Sequence, residues 1–210
     1  MRDIPFFQTE NGIASLILKE VSYKNIAYIR IQSTCNLRAL IKECVDFCRA
    51  VGAEKIFATG CDECKEYPFF TSILEMSCKR ETIPVYNLRL IPAEKESFEQ
   101  WRSIYNERMR NVPNAATITL LDTEAHIQGA YFVYDNESLL GIGKVTDNRI
   151  DVVASVVKGA GRKIVSALVA VTKGEFVVVE VADTNLPAMR LYTDLGFTVT
   201  DKISDWYQVL

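Results

Sequence analysis

Asn185-Leu186-Pro187-Ala188-Met189-Arg190-Leu191-Tyr192-Thr193-Asp194-Leu195-Gly196-Phe197 is the stretch that decides the fold of this chain. It reads as one short helix with both ends written into it. Asn185 or Thr184 can accept a hydrogen bond from a first-turn amide and so cap the start. Pro187 is tolerated there, because first-turn N–H groups have no partner within the helix. Ala188, Leu191, Tyr192 and Leu195 form one apolar stripe. Gly196 supplies a left-handed stop, and Phe197 the apolar contact beyond it.

Upstream, Ile150 to Val156 reads as a strand and Lys158-Gly159-Ala160-Gly161-Arg162 as a glycine loop that opens a helix over Ile164 to Thr172. Glycines let backbone approach an anion, and the helix start offers unpaired N–H groups and partial positive charge. The strand Phe176 to Val181 follows, rich in β-branched residues. Leu139 to Val145 precedes as a further strand, turning at Asp147-Asn148. Ala93 to Met109 is a predicted helix with Phe98, Trp101, Tyr105 and Met109 on one face, and Leu88 to Ile91, Ile118 to Leu121 and Ile127 to Tyr134 are predicted strands. Trp101 and Tyr105 serve either as core or as an aromatic wall beside a substrate.

The first part of the chain runs in the same order. Strands at Ile13 to Lys19 and Ala27 to Gln32 precede a helix whose stripe is Leu37, Leu40, Ile41, Cys44, Cys48 and Val51. Gly52 stops it, and Lys55 to Thr59 is a strand. Strand, turn, strand, helix, strand thus occurs twice, without repetition of the residues themselves. A boundary near residue 85 is expected, giving domains 1–85 and 86–210 that pack together, since no Gly/Ser linker separates them.

Composition narrows the classes. The 210 residues are 49% apolar, enough for a substantial core, and the net charge of −3 leaves no electrostatic footprint for nucleic acid. No apolar run approaches the ~18 residues that signal a membrane span. The opening Met1 to Phe6 lacks the apolar core and cleavage site of a secretory leader, so a cytoplasmic location is expected. All six cysteines lie within the first 78 residues and are expected as thiols. Cys61-Asp62-Glu63-Cys64 could be half a zinc site or a redox pair. No second pair or nearby histidine completes a tetrahedron, so no metal is expected. Asp62 and Glu63 would raise thiol pKa values rather than activate a thiolate.

The glycine loop and the Asn…Ala…Leu-Tyr…Gly-Phe segment together resemble the GCN5-related N-acetyltransferase superfamily over residues 87–210. Thr198 to Lys202 and Asp205 to Val209 would be its terminal strands. The first half resembles a truncated, degenerate copy with no second cofactor site, expected to shape the acceptor cleft or to mediate self-association as a homodimer. The implied fold is α/β (α+β), a mixed, mostly antiparallel sheet flanked by helices, with a smaller α/β domain before it. The implied activity is transfer of an acetyl group from the cosubstrate acetyl-CoA to the primary amine of a small-molecule or peptide acceptor. In such enzymes two central parallel strands part and the cosubstrate lies between them.

By position the resemblance assigns Val153, Ala154 and Ser155 to the pantetheine arm, and Lys158, Gly159, Ala160, Gly161 and Arg162 to the pyrophosphate. Asn185 falls near the cofactor arm, and Tyr192 becomes the acid that protonates the departing thiolate. Two registers fit the loop. One takes Gly159 and Gly161 as its small residues and puts Val156 where the family carries Gln or Arg; it leaves the right length of helix before Phe176. The other puts Lys158 first and Lys163 at the second small position. A base is expected from the central strands, with Asp151 the nearest candidate beside Glu137 and Glu180; an exposed strand carboxylate is the plain reading of each. His126, the only histidine, is expected at the surface. The alternative function is a catalytically weakened CoA-binding or regulatory module.

Overall fold

A computed structural model describes residues 2–210. The chain forms two compact units, and two long strands contribute to both.

The first unit holds residues up to Ile73 together with Ile203–Leu210. Its elements are β1 (Ile4–Thr9), β2 (Gly12–Ile17), a single helical turn α1 (Val21–Lys24), β3 (Ile26–Thr34), α2 (Leu37–Ala50) and β4 (Lys55–Thr59). To these are added the start of β5 (Phe69–Lys79) and the end of the last strand. The predicted stripe is what α2 buries: Leu40, Ile41, Cys44 and Cys48 are enclosed with Leu16, Ile29 and Ile56. Asn36 caps that helix by accepting from the Ala39 amide at 3.2 Å. β2 pairs antiparallel with β3. β3 pairs parallel with β4 without interruption from Ile26–Lys55 to Arg30–Thr59.

The second unit is Leu74–Lys202. It contains the end of β5, then β6 (Arg89–Pro92), α3 (Phe98–Met109), a short α4 (Thr123–Ile127), β7 (Ala130–Asp135), β8 (Ser138–Thr146), β9 (Arg149–Ser155), α5 (Gly161–Val169), β10 (Phe176–Ala182), α6 (Leu186–Asp194) and the start of β11 (Thr198–Gln208). Its strand order is β5-β10-β9-β8-β7-β6, antiparallel from β9 to β6. α3 covers one face, where Phe98, Trp101 and Tyr105 are buried against Phe132, Ile142 and Val152. Trp101 and Tyr105 are therefore core. The indole N–H donates to the Tyr131 and Gly143 carbonyls. α5 covers the other face, with Ile164, Val165 and Leu168 buried against Val177, Val179 and Tyr192.

Three expectations of secondary structure are corrected. Ile118 to Leu121 is not a strand: the Asn106 side chain accepts from the Ile118 amide and donates to its carbonyl, and Thr119 and Asp122 close a capping box around a 3-10 turn. The two terminal strands are one, because nothing between Lys202 and Asp205 breaks β11. The helix expected from Ala93 begins at Phe98. The boundary drawn near residue 85 falls inside the second unit, beyond the end of β5.

Candidate active site

α6 forms as its sequence dictates. The Asn185 side chain accepts from the Ala188 amide at 3.4 Å, and Pro187 occupies the first turn. At the far end Gly196 takes φ +91°. The Gly196 amide donates to Thr193 and the Phe197 amide to Tyr192, both at 3.0 Å, satisfying carbonyls that the helix leaves open. Phe197 is buried and its ring lies 5.5 Å from that of Tyr192. The opening stretch is thus a self-contained unit whose buried face carries one phenol. Among the described residues the Tyr192 hydroxyl has no hydrogen-bond partner. Burial pushes its pKa up from 10 to about 12.

The second component is a break between parallel strands. β9 and β10 pair only at Arg149–Val178 and Ile150–Val179. From Asp151 and Glu180 onward they part. The cause is local. On the β8 side, Val145 faces Ile150 and Lys144 faces Val152, so Asp151 is an extra residue, a β-bulge. The bulge reverses the alternation of β9. Ile150 belongs to the core under α5, whereas Val152 and Ala154 belong to the core under α3.

Backbone direction follows from the same register. The Val156 amide donates to the Leu140 carbonyl at 2.9 Å. Counting back in twos, Ala154 and Val152 exchange bonds with β8, and the N–H and C=O groups of Val153 and Ser155 point to the opposite edge, into the gap. Val153 packs against the α5–α6 core. The Ser155 hydroxyl donates to the Val157 carbonyl.

At the mouth of this wedge the loop turns into α5. The Val156 and Val157 amides both bond Leu140, and the Ala160 amide bonds Val157. The amides of Gly159, Gly161, Arg162 and Lys163 make no backbone bond, as expected of a helix start. Gly159 has φ +83°, a conformation that favours glycine. A Cβ on Gly161 would lie 2.9 Å from Leu191 of α6, so a small residue lets the two helices meet. Lys163 is already paired, donating to Asp135 at 2.6 Å. Lys158 is exposed. Arg162 donates to the Asp194 carbonyl at 3.4 Å and lies 3.9 Å from its carboxylate.

The structure brings Val153, Ala160 and Tyr192 into one cluster and sets Gly159, Gly161 and Arg162 beside it. Ala154, by contrast, turns its side chain to the α3 face. Among the carboxylates, Asp151 stands at the vertex of the wedge, exposed, accepting from Thr146 at 2.6 Å. Glu180 is bound to Arg149, which also reaches Glu75 at 3.2 Å. Glu137 is exposed, 3.8 Å from Arg89. His126 lies on the short α4 and is partly exposed. The bulge at Asp151 was missed in the sequence, where apolar and polar residues alternate through Ile150-Asp151-Val152 and then run on as Val152-Val153-Ala154. Among the described residues no group of three or more potential metal ligands is found, and no helix is long and apolar enough to cross a membrane.

No protein-family description matches the chain, and no curated protein matches it. Solved structures do. One is a GCN5-related N-acetyltransferase from Anabaena variabilis, with TM-score 0.66 and 11% identity, covering 94% of this chain and 59% of that one. A conserved protein of unknown function from Staphylococcus epidermidis has TM-score 0.62 and 10% identity, with 96% and 91% covered. A tandem GNAT protein of the clavulanic acid biosynthesis pathway has TM-score 0.54 and 13% identity, with 96% and 80% covered. At such identities the likeness is one of fold alone, and with the parted strands, the glycine loop and the capped α6 it makes this the fold of the GCN5-related N-acetyltransferases.

Proposed function

We propose that the chain is an acetyl-CoA-dependent N-acetyltransferase. The observation that carries this reading is the wedge: two parallel strands that part at a bulge, leaving unpaired backbone groups along one wall and a ring of unpaired amides at its mouth. An extended chain of amides needs the first, and a pyrophosphate the second. Acetyl-CoA has both, and when bound it supplies an acyl group already activated as a thioester.

In this reading the N–H and C=O groups of Val153 and Ser155 pair with the pantetheine amides. The amides of Gly159, Gly161 and Arg162, with the Lys158 cation, hold the pyrophosphate. Val156 adds no donor, so the backbone carries more of the anion binding than where Gln or Arg stands at that position. A primary amine of a small molecule or peptide attacks the thioester carbonyl directly. Asp151 accepts the amine's proton, directly or through water, from its place at the vertex. Tyr192 donates its proton to the departing sulfur. A phenol pushed to about 12 is fully protonated at neutral pH, as a donor must be.

Titration with acetyl-CoA by calorimetry tests the proposal. Binding should be seen, and Gly161→Val should weaken it. No heat at millimolar ligand would sink it. A second reading, a CoA-binding or regulatory module with weakened catalysis, draws on Val156 and on the commitment of Arg162 to Asp194. It predicts binding without turnover against a panel of amines.

A further inference from the structure

We propose that Cys61 and Cys64 form a reversible dithiol–disulfide pair that exchanges with small-molecule disulfides such as oxidised glutathione, a covalent modification site separate from the acyl-transfer reading.

The geometry is already that of a closed turn. β4 ends at Thr59, Gly60 takes φ +112°, and the chain enters a 3-10 turn over Asp62–Glu66. The Cys64 amide donates to the Cys61 carbonyl at 3.3 Å. A turn closed in this way holds its end Cα atoms within about 7 Å, the range a disulfide spans. The two sulfurs lie 3.4 Å apart and share one hydrogen bond. A bond of about 2.05 Å therefore needs a small rotation of two side chains and no rearrangement of backbone.

The two thiols differ in access, and this orders the chemistry. Cys61 is partly exposed, whereas Cys64 is enclosed with Cys44, Cys48 and Leu40. Cys61, as thiolate, attacks one sulfur of the small disulfide. The Cys61–S bond forms, the incoming S–S bond breaks, and one thiolate leaves and takes up a proton. Cys64 then attacks the Cys61 sulfur of the mixed disulfide, forming the Cys61–Cys64 bond and releasing the second thiolate, which receives the Cys64 proton. Two protein thiols are oxidised and one small disulfide is reduced to two thiols. Burial, followed by the hydrogen bond from its neighbour, pushes Cys64 up to about 12, so the second step is the slow one. The pair is a poised sensor rather than a fast oxidoreductase.

The other cysteines provide the contrast. Cys44 and Cys48 lie inside the α2 core, with burial raising both, and Cys78 is buried in the second unit, bonded to Thr82 at 2.8 Å. Cys35 is exposed and alone, and would hold a mixed disulfide without resolving it.

The experiment uses full-length Cys35→Ser protein, which keeps five of the six thiols. It is equilibrated in glutathione buffers from fully reduced to fully oxidised, quenched in acid, alkylated under denaturing conditions and mapped by mass spectrometry. The expected result is loss of two alkylatable thiols, with Cys61 and Cys64 joined in one peptide, and full return of both on adding dithiothreitol. Cys61→Ser should keep Cys64 unmodified and free through the whole series; being partly exposed, that position tolerates the change. A persistent glutathione adduct on Cys61, five alkylated thiols in oxidised buffer, or stoichiometric zinc bound at the pair in the purified protein would each overturn the proposal.

Discussion

Replacing Tyr192 by Phe separates a functional hydroxyl from a structural one. The ring is buried in the α5–α6 core and touches Phe197, so the variant keeps the packing. The hydroxyl bonds to nothing among the described residues, so no protein hydrogen bond is lost. Its oxygen is not among the fully enclosed polar atoms left without a partner, so removing it returns less than the ~1–3 kcal/mol that such an atom costs. The variant should therefore melt at the same temperature as the wild type or higher, by up to about 3 °C for a chain of this size. Catalysis should move the other way, with kcat falling ~10²- to 10⁴-fold as the general acid is lost and KM for acetyl-CoA little changed.

Alkaline titration gives a third readout. The phenol's pKa is raised on folding, so its stabilising effect is complete below the unfolded value of 10 and disappears as pH rises through the folded value near 12. That displacement corresponds to about 2.7 kcal/mol. Between pH 10 and 12 wild type should lose about 2 kcal/mol more than Tyr192→Phe, the cysteine contributions cancelling in the difference. Differential scanning calorimetry across that range, with steady-state kinetics, supplies all three numbers. A variant that melts more than about 2 °C below wild type would show that the hydroxyl holds a structural bond, and the reasoning would fail.

The fold makes further commitments. Because residues 74–79 of β5 belong to the second unit and 203–210 to the first, fragments 1–85 and 86–210 should each lack a cooperative melt alone and co-purify when co-expressed; a sharp melt of 86–210 alone would contradict this. Gly141→Ala would set a Cβ 2.2 Å from the Ala154 carbonyl, which moves only with its strand, and should cost about 3 kcal/mol in urea unfolding; Gly143→Ala would set one 2.3 Å from the Leu168 side chain, which can turn aside, and should cost about 1–2 kcal/mol. Arg149→Met leaves Glu75 and Glu180 facing each other without their shared cation. The loss should be about 1 kcal/mol at low salt, for bridges partly open to water, and should shrink in 1 M NaCl.

What could be read from the sequence was what is encoded locally. Asn185, Pro187, Gly196 and Phe197 each act within a few residues of themselves, and α6 forms as they specify. The α2 stripe and its stop at Gly52 are of the same kind. Where the reading failed, a partner distant in sequence decided. Thr117 to Leu121 alternates like a strand, but Asn106 on α3 offers the Ile118 backbone one donor and one acceptor, replacing a strand neighbour, while Asp122 binds both the Thr119 amide and hydroxyl at 2.7 Å. The division of β5 and β11 between units has no local signal, since neither strand holds a glycine or proline where it passes from one unit to the other. The loop register could be preferred in the sequence only on helix length; that Lys163 donates to Asp135 and Gly161 meets Leu191 are contacts across the fold that the sequence does not display.

The two strand–helix–strand segments show why element order is a weaker guide to chemistry than pairing. β3-α2-β4 and β9-α5-β10 have the same connectivity, each a helix linking parallel strands. β3 has an extra residue of its own at Gln32, but it lies beyond the last β4 pair at Arg30, so the β3 amides are spent on that neighbour over the shared length. β9 carries one extra residue at Asp151, and past it the alternation is out of phase with β10. Amides that would have faced β10 then face β8, and those of Val153 and Ser155 are left over. The helix that follows differs in the same sense. Asn36 consumes an α2 amide with its own side chain, whereas α5 starts at Ala160 and Gly161 with no side-chain cap. A bulge and an uncapped helix each cost stability in isolation. Both fall at one end of one strand, where an extended anionic ligand could use every group they leave unpaired.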